Sequence, residues 1–432
     1  MLKKIIILAV ISTICNGLQA QDNVYPSGPQ KGTVIIKNGN IYTAAGNVIN
    51  NGFITIKNGK IAEVGASVPE EAGATIIDAR GKNVYPGLIL PNTDLGISEI
   101  GSGVRGSNDY FELGEYNPSV RSVVAYNTDS KIINTLRANG ILLACVVPQG
   151  RLLTGSSSVV QLDAWTWQDA IYKADNGMHL NMPVLMRSPR RSLRSADAAD
   201  PVKTGIQTIE EVESFFSQAQ AYLKLSKKED RNLKFEALRP LFEKKQRLFV
   251  HADIARQILV AVDFAKKFNI DVVLVGGSDS YLFADLLKQN NIAVILNALH
   301  SLPTMQDDDI DQPFKTPAIL QKAGVLFAIN DNSDNARYRN LDFNAGTAAG
   351  FGLTKEQALA AITINPAKIL GIDQQTGSIE KGKDANIIIC EGDVLDMRSS
   401  IVTDAFIQGR KINLDNKQQQ LYDRYKHRYG IN

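Results

Sequence analysis

The chain has 432 residues, 44% of them hydrophobic and 21% charged, with 47 Lys and Arg against 45 Asp and Glu. So large an apolar share excludes a disordered or collagen-like polymer, and the length suits two or three ordinary domains or one large α/β barrel with an attachment. The near-even charge balance argues against a nucleic-acid partner, because such binders carry a basic excess or stripe.

The first segment reads as an address. Lys3 and Lys4 precede an apolar run over 5–14, and Leu18, Gln19 and Ala20 lead to a cut before Gln21. This layout predicts a signal peptide over 1–20, export across the inner membrane and a periplasmic mature protein. A membrane anchor is the competing reading, but a span needs about 20 apolar residues and this run is shorter. Ile14 before Cys15 argues against a lipoprotein site.

Short β-branched runs follow at 33–37, 40–43, 53–57 and 60–64, with Asn38-Gly39 and Asn58-Gly59 between them as hairpin turns. Similar runs return at 385–390, 401–407 and 411–413, with Gln408-Gly409 as a turn. Two β-rich flanks around a different middle predict one small β-sandwich built from both chain ends, 21–85 and 377–415. Two unrelated β modules are the alternative. Residues 416–432 form a C-terminal tail.

Between the flanks, 86–376 alternates. Apolar runs at 84–90, 141–147, 158–162, 183–186, 248–250, 271–275, 293–296 and 325–329 are separated by helical patterns, clearest at 209–226, 256–268, 280–290 and 315–322. Eight such runs predict a closed parallel TIM-like (β/α)8 barrel, with loops 98–127 and 188–208 over its mouth. A doubly wound open sheet competes, but no GxGxxG follows an early strand.

Functional residues of such a barrel come from the C-terminal strand ends. Those ends supply Asn92 and Asp94, Gln149 and Arg151, Gln161 and Asp163, Arg187, His251, Gly276-Gly277, Asn297 and His300, and Asp331. Trp165 and Trp167 either line the mouth or lie along one strand face. The acidic stretch Asp307-Asp308-Asp309 with Asp311 lacks the glycine and final glutamate of a calcium loop and reads as solvated. Ser156, Ser157 and Ser158 lack the GxSxG of a nucleophile elbow. Lys227-Lys228 and Lys244-Lys245 read as solvated helix faces. Two cysteines remain after export, Cys145 and Cys390, both in apolar runs; the compartment permits a disulfide but two cysteines do not make a scaffold.

The stretches Asn83-Val84-Tyr85-Pro86-Gly87-Leu88-Ile89, Phe249-Val250-His251-Ala252, Ala328-Ile329-Asn330-Asp331, Thr363-Ile364-Asn365-Pro366-Ala367 and Gly377-Ser378-Ile379-Glu380-Lys381-Gly382-Lys383-Asp384-Ala385-Asn386 stand out. Together they resemble the amidohydrolase superfamily, in particular its secreted imidazolonepropionase-like branch. The resemblance covers about 32–412. It implies a barrel with a two-part β domain and hydrolysis of C–N bonds in amides, ureas or cyclic imides. A divalent metal such as zinc would activate water, and an aspartate of the last strand would move its proton.

The chain departs from that pattern where the ion should sit. Asn92 and Asp94 replace an HxH pair, Met186-Arg187 leaves neither lysine nor glutamate on the fourth strand, and Gly276-Gly277 replaces a histidine on the sixth. His251 and Asp331 match, and are the expected catalytic residues. A rebuilt metal site could use only Asp94, His251 and Asp331, and would then spend the base as a ligand. Asn92, Arg187, Asn297 and His300 would line a substrate pocket. Two functions remain open: a hydrolase of small non-peptide amides, cyclic amides or imides with a degenerate metal site, or an inactive homologue that binds a ligand or partners an active relative. The expected partners are a small molecule, and a homo-oligomer or active homologue, with no nucleic acid and no membrane anchor.

Overall fold

A computed structural model describes residues 24–67, 71–99, 108–186, 200–226, 230–297, 299–305, 307–331 and 337–431. The expected signal peptide, Arg187, Lys227-Lys228 and 332–334 lie outside the described residues.

Strands β1 (Val34–Tyr42), β2 (Val48–Lys57), β3 (Lys60–Gly65), β4 (Thr75–Asp78) and β5 (Asn83–Pro86) open one sheet. Asn58 and Gly59, at φ 50° and 79°, make the β2–β3 turn, and Asn and Gly meet the left-handed demand of such turns most easily. Asn38-Gly39 does something else. It is a bulge inside β1, so the runs at 33–37 and 40–43 are one strand. Its first half pairs with β4 and its second with β5, and the bend at Asn38 lets it change partner.

At Gly87 the chain leaves this sheet. The predicted run at 84–90 is therefore two strands, β5 and β6 (Leu88–Thr93). A Cβ at Gly87 would stand 2.5 Å from the Leu142 side chain, so glycine permits the close crossing. The second sheet continues through β7 (Ile141–Val146), β8 (Leu153–Gln161), β9 (Ile171–Asn181), β10 (Arg247–Ala252), β11 (Val272–Gly276), β12 (Ala293–Leu296) and β13 (Phe327–Ile329), neighbours in that order. The chain then returns to the first sheet with β14 (Ile387–Glu391), β15 (Ile401–Ile407) and β16 (Arg410–Lys411); β14 pairs with β5 and joins the two chain ends.

This is a nearly closed eight-stranded barrel beside a sheet drawn from both chain ends. One expectation fails: the barrel is not wholly parallel. β8 runs antiparallel to both β7 and β9, through 147–152 at the mouth and through 162–170, with the single helical turn Trp167–Ala170, at the opposite end. The fourth strand is also Ile171–Asn181 rather than 183–186, which has no strand structure. An antiparallel pair needs only a short connection, so no crossover helix separates the second, third and fourth strands.

The major helices are α1 (Pro201–Lys224), α2 (Ala255–Phe268), α3 (Gln312–Ala323), α4 (Leu341–Gly350), α5 (Ile364–Leu370) and α6 (Lys417–Tyr429). Asp200 caps α1 and Pro201 starts it, so the helix claims 201–208 from the expected loop. The expected tail is largely α6, whose residues are not buried. Inside the barrel, Ile89, Leu143, Cys145, Val159, Phe249, Val273 and Ile295 pack with Ile369 and Leu370 of α5. That helix plugs the end where the parallel strands begin. Lys173 and Arg247, at the starts of β9 and β10, donate to its last carbonyls at 2.5–3.2 Å, an arrangement that offsets the negative end of the helix dipole.

The barrel closes without β6 and β13 forming a ladder. The Asn330 side chain accepts from Asn92 N at 3.2 Å and donates to Asn92 O at 2.9 Å, acting as a short surrogate strand across the seam.

Candidate functional site

Period-two alternation sends Gly177, His179 and Asn181 of β9 to the same face, and Phe249 and His251 of β10 to the barrel interior beside them. A Cβ at Gly177 would lie 2.2 Å from the Phe249 ring, so the glycine makes room for it. The His179 ring stacks on Phe249 at 4.9 Å and 15°. Its Nδ1 lies 3.0 Å from His251 Nε2. Burial holds the His179 imidazole well below its ordinary pKa, helped by the His251 charge, and pushes His251 down to about 4. Both rings are therefore neutral near pH 7, because burial penalises the charged form. His179 Nε2 is buried with no partner among the described residues.

The remaining expected residues engage separate neighbours. Asn92 is buried and its Oδ1 has no partner among the described residues. Asp94 accepts from the Tyr338 hydroxyl, whose pKa burial and Asp94 both raise. Asn297 Oδ1 accepts from Asn330 at 3.0 Å. Asp331, two residues beyond β13, is fully buried and its Oδ2 accepts from Asn344 of α4 at 3.0 Å. His300 Nε2 sits 2.7 Å from Thr347 Oγ1, with its pKa lowered by burial and then by Arg337. Arg187 is outside the described residues.

Among the described residues no three His, Cys, Asp or Glu side chains form a group able to hold a metal ion. Asp94, His251 and Asp331 thus do not assemble as one. The reversed third strand carries two other expected residues away from the mouth. Gln161 and Asp163 lie at the opposite end, where Asp163 accepts from Arg137, from Arg410 at 2.9 Å and from Ser27 N at 2.9 Å. Trp165 follows them and packs near Tyr25 rather than lining the mouth. Ser156, Ser157 and Ser158 lie within β8, and Ser157 bonds Asn176 at 3.2 Å. Asp309 and Asp311 pair with Lys315. Cys145 and Cys390 are both buried and free, so they are not joined to each other.

Sequence reasoning missed His179. Assigning the fourth strand to 183–186 set it aside, although the spacing Gly177, His179, Asn181 carried the alternation that would have found it.

Comparison with known proteins agrees with this architecture. A model described as the amidohydrolase family matches residues 316–412. Dihydroorotase of Pelotomaculum thermopropionicum is 25% identical over 405 residues, covering 84% of this chain and 89% of that protein. Imidazolonepropionase of Picrophilus torridus is 30% identical over 175 residues, 38% of this chain and 42% of that one. Amidohydrolase tasK of Hapsidospora irregularis is 22% identical over 81% of this chain, which spans only 38% of the relative's length. The crystal structure of an amidohydrolase from Thermotoga maritima superposes with a TM-score of 0.75 at 25% identity, over 88% of this chain and 99% of that chain.

Proposed function

The chain belongs to the amidohydrolase superfamily, and on that premise we propose that it hydrolyses carbon–nitrogen bonds of small non-peptide amides, cyclic amides or imides at the open end of its barrel. Relatives named dihydroorotase and imidazolonepropionase support a hydrolase of C–N bonds. The observation that carries the reading is the pairing of two retained residues with oriented partners: His251 with His179, and Asp331 with Asn344. In this role Asp331 takes a proton from the attacking water as its oxygen bonds to the carbonyl carbon. It returns that proton to the nitrogen as the C–N bond breaks.

The superfamily resemblance brings a divalent ion that lowers the pKa of water. The described residues fit such an ion poorly. Asn92 is a neutral donor, Asp94 is taken by Tyr338, and His251 Nε2 is taken by His179. On this reading the ordinary metal site is degenerate, and the proton transfer rests on Asp331.

A second reading is favoured by the same contacts. Tyr338 on Asp94 and Asn330 on the Asn92 backbone tie down the places where an ion and its water would work. On that reading the chain is an inactive homologue, a ligand-binding protein or the partner of an active relative. Export to the periplasm goes with either proposal and is checked by N-terminal sequencing of the secreted chain.

Metal content by plasma mass spectrometry, with hydrolysis of hydantoin, dihydroorotate and imidazolonepropionate, separates the two. The hydrolase reading expects turnover that falls by about 100-fold or more in Asp331→Asn, the usual scale for losing a general acid–base group. Absence of turnover on every substrate, with a tightly associated active homologue on co-purification, would establish the second reading instead.

A further inference from the structure

We propose that His179 is a positioning residue that fixes His251 as a hydrogen-bond donor: His179 donates its Nδ1–H to His251 Nε2, and the His251 proton resides on Nδ1. The inference rests on the proposed C–N site and names what His251 recognises there, the carbonyl oxygen of an amide, lactam or imide.

Two neutral imidazoles 3.0 Å apart share one hydrogen bond, which can run either way. If His251 donated, His179 would carry its proton on Nε2, and that nitrogen is buried with no partner among the described residues. An orphaned buried N–H is rarer in proteins than an orphaned acceptor. The arrangement with His179 as donor leaves only a bare lone pair there. The stack on Phe249, for which Gly177 makes room, holds the His179 ring in the plane this bond needs.

Two consequences follow for His251. Its Nε2 is spent, so it neither binds an ion nor accepts a proton through that atom while the pair is intact. With Nε2 held by His179, its Nδ1–H is left to polarise a carbonyl as a neutral donor, a use of imidazole that needs no positive charge.

Long-range ¹⁵N–¹H NMR of the full chain at pH 7.5 reads the tautomer directly. The chain has four histidines, so removing each in turn assigns the signals. The expected result is protonated Nδ1 and bare Nε2 on His251, unchanged by excess zinc chloride. His179→Asn keeps an N–H near the place of Nδ1 and should keep this tautomer; His179→Phe keeps the stack without a donor and should move the proton of His251 to Nε2. A wild-type His251 protonated on Nε2 overturns the proposal. So does a zinc-induced shift of both rings, which would make the pair an ion site, or an unchanged tautomer in His179→Phe. Should His179→Phe fail to fold, the wild-type and His179→Asn spectra still decide. Turnover plays no part in these readings, so a failure here is distinct from a failure of the hydrolase reading.

Discussion

The two ends of the barrel treat buried polarity in opposite ways. At the plugged end, Asp163 is fully buried yet receives two guanidinium groups and a backbone N–H, while Lys173 and Arg247 answer the carbonyls of α5. Arg137 Nε there, and Gln246 Oε1 just before β10, have no partner among the described residues. At the mouth, Asp94 and Asp331 accept from neutral donors, Tyr338 and Asn344, and His179 Nε2 and Asn92 Oδ1 are buried with no partner among the described residues. A saturated ion cluster is a clamp; unsatisfied polar atoms are a standing cost that a ligand or water can relieve. The contrast sets an ion-paired clamp at one end against unanswered polar atoms at the other.

The sharpest way to break that contrast is Asp163→Ala, which leaves Arg137 and Arg410 together without their carboxylate. Loss of one partner of a buried pair costs about 3–5 kcal/mol, read as a fall in the denaturation midpoint in urea. An equal loss from His251→Ala would put stability at the mouth too and dissolve the distinction. A smaller effect is expected at the seam. Asn330→Ala strands the Asn92 backbone groups and should cost about 2 kcal/mol, the scale of an unsatisfied buried polar group.

The pH dependence of stability should show His251 at the mouth and Asp342 of α4 as opposite limbs. The folded pKa of His251 is near 4, below the ordinary value of 6.5. Its unfolded form therefore binds more protons between those values, and stability is full above about 6.5 and lost as pH falls toward about 4. Asp342 of α4, buried under Ser400 at the edge of the first sheet, is pushed up to about 8. Its native form holds the extra proton, so stability is full below about 4 and lost as pH rises through about 8. His251→Gln should reduce the acid limb, to which the depressed His179 also contributes, and leave the alkaline one, while Asp342→Asn should reduce only the alkaline limb. The smallest effect is expected from Tyr338→Phe, which removes one hydrogen bond to Asp94 and should shift stability by about 1 kcal/mol.

Much of the fold was legible because it is written in local pattern. The turns at Asn58-Gly59 and Gln408-Gly409, the β-branched runs at both chain ends and the helical stretch ending at Phe268 are all short-range signals, and each forms an element close to where it was expected. The third and fourth strands were not. Leu153–Gln161 is buried along its whole length and carries no alternation, while 183–186 offers an apolar run that never pairs. Strand direction is also silent in such a run, because parallel and antiparallel pairing bury the same side chains. That one reversal moved Asp163 from the mouth to the clamp.

The site divides in the same way. The amino-acid sequence by itself gave the expectation that His251 and Asp331 stand at the barrel mouth, with Asn92-Thr93-Asp94 in place of the HxH pair that the resemblance implies. Which groups answer them belongs to the tertiary structure alone. His179 is 72 residues from His251, and Tyr338 is 244 from Asp94. No periodicity reaches that far; only the register between neighbouring strands and the closure of the barrel bring such residues within a hydrogen bond of each other.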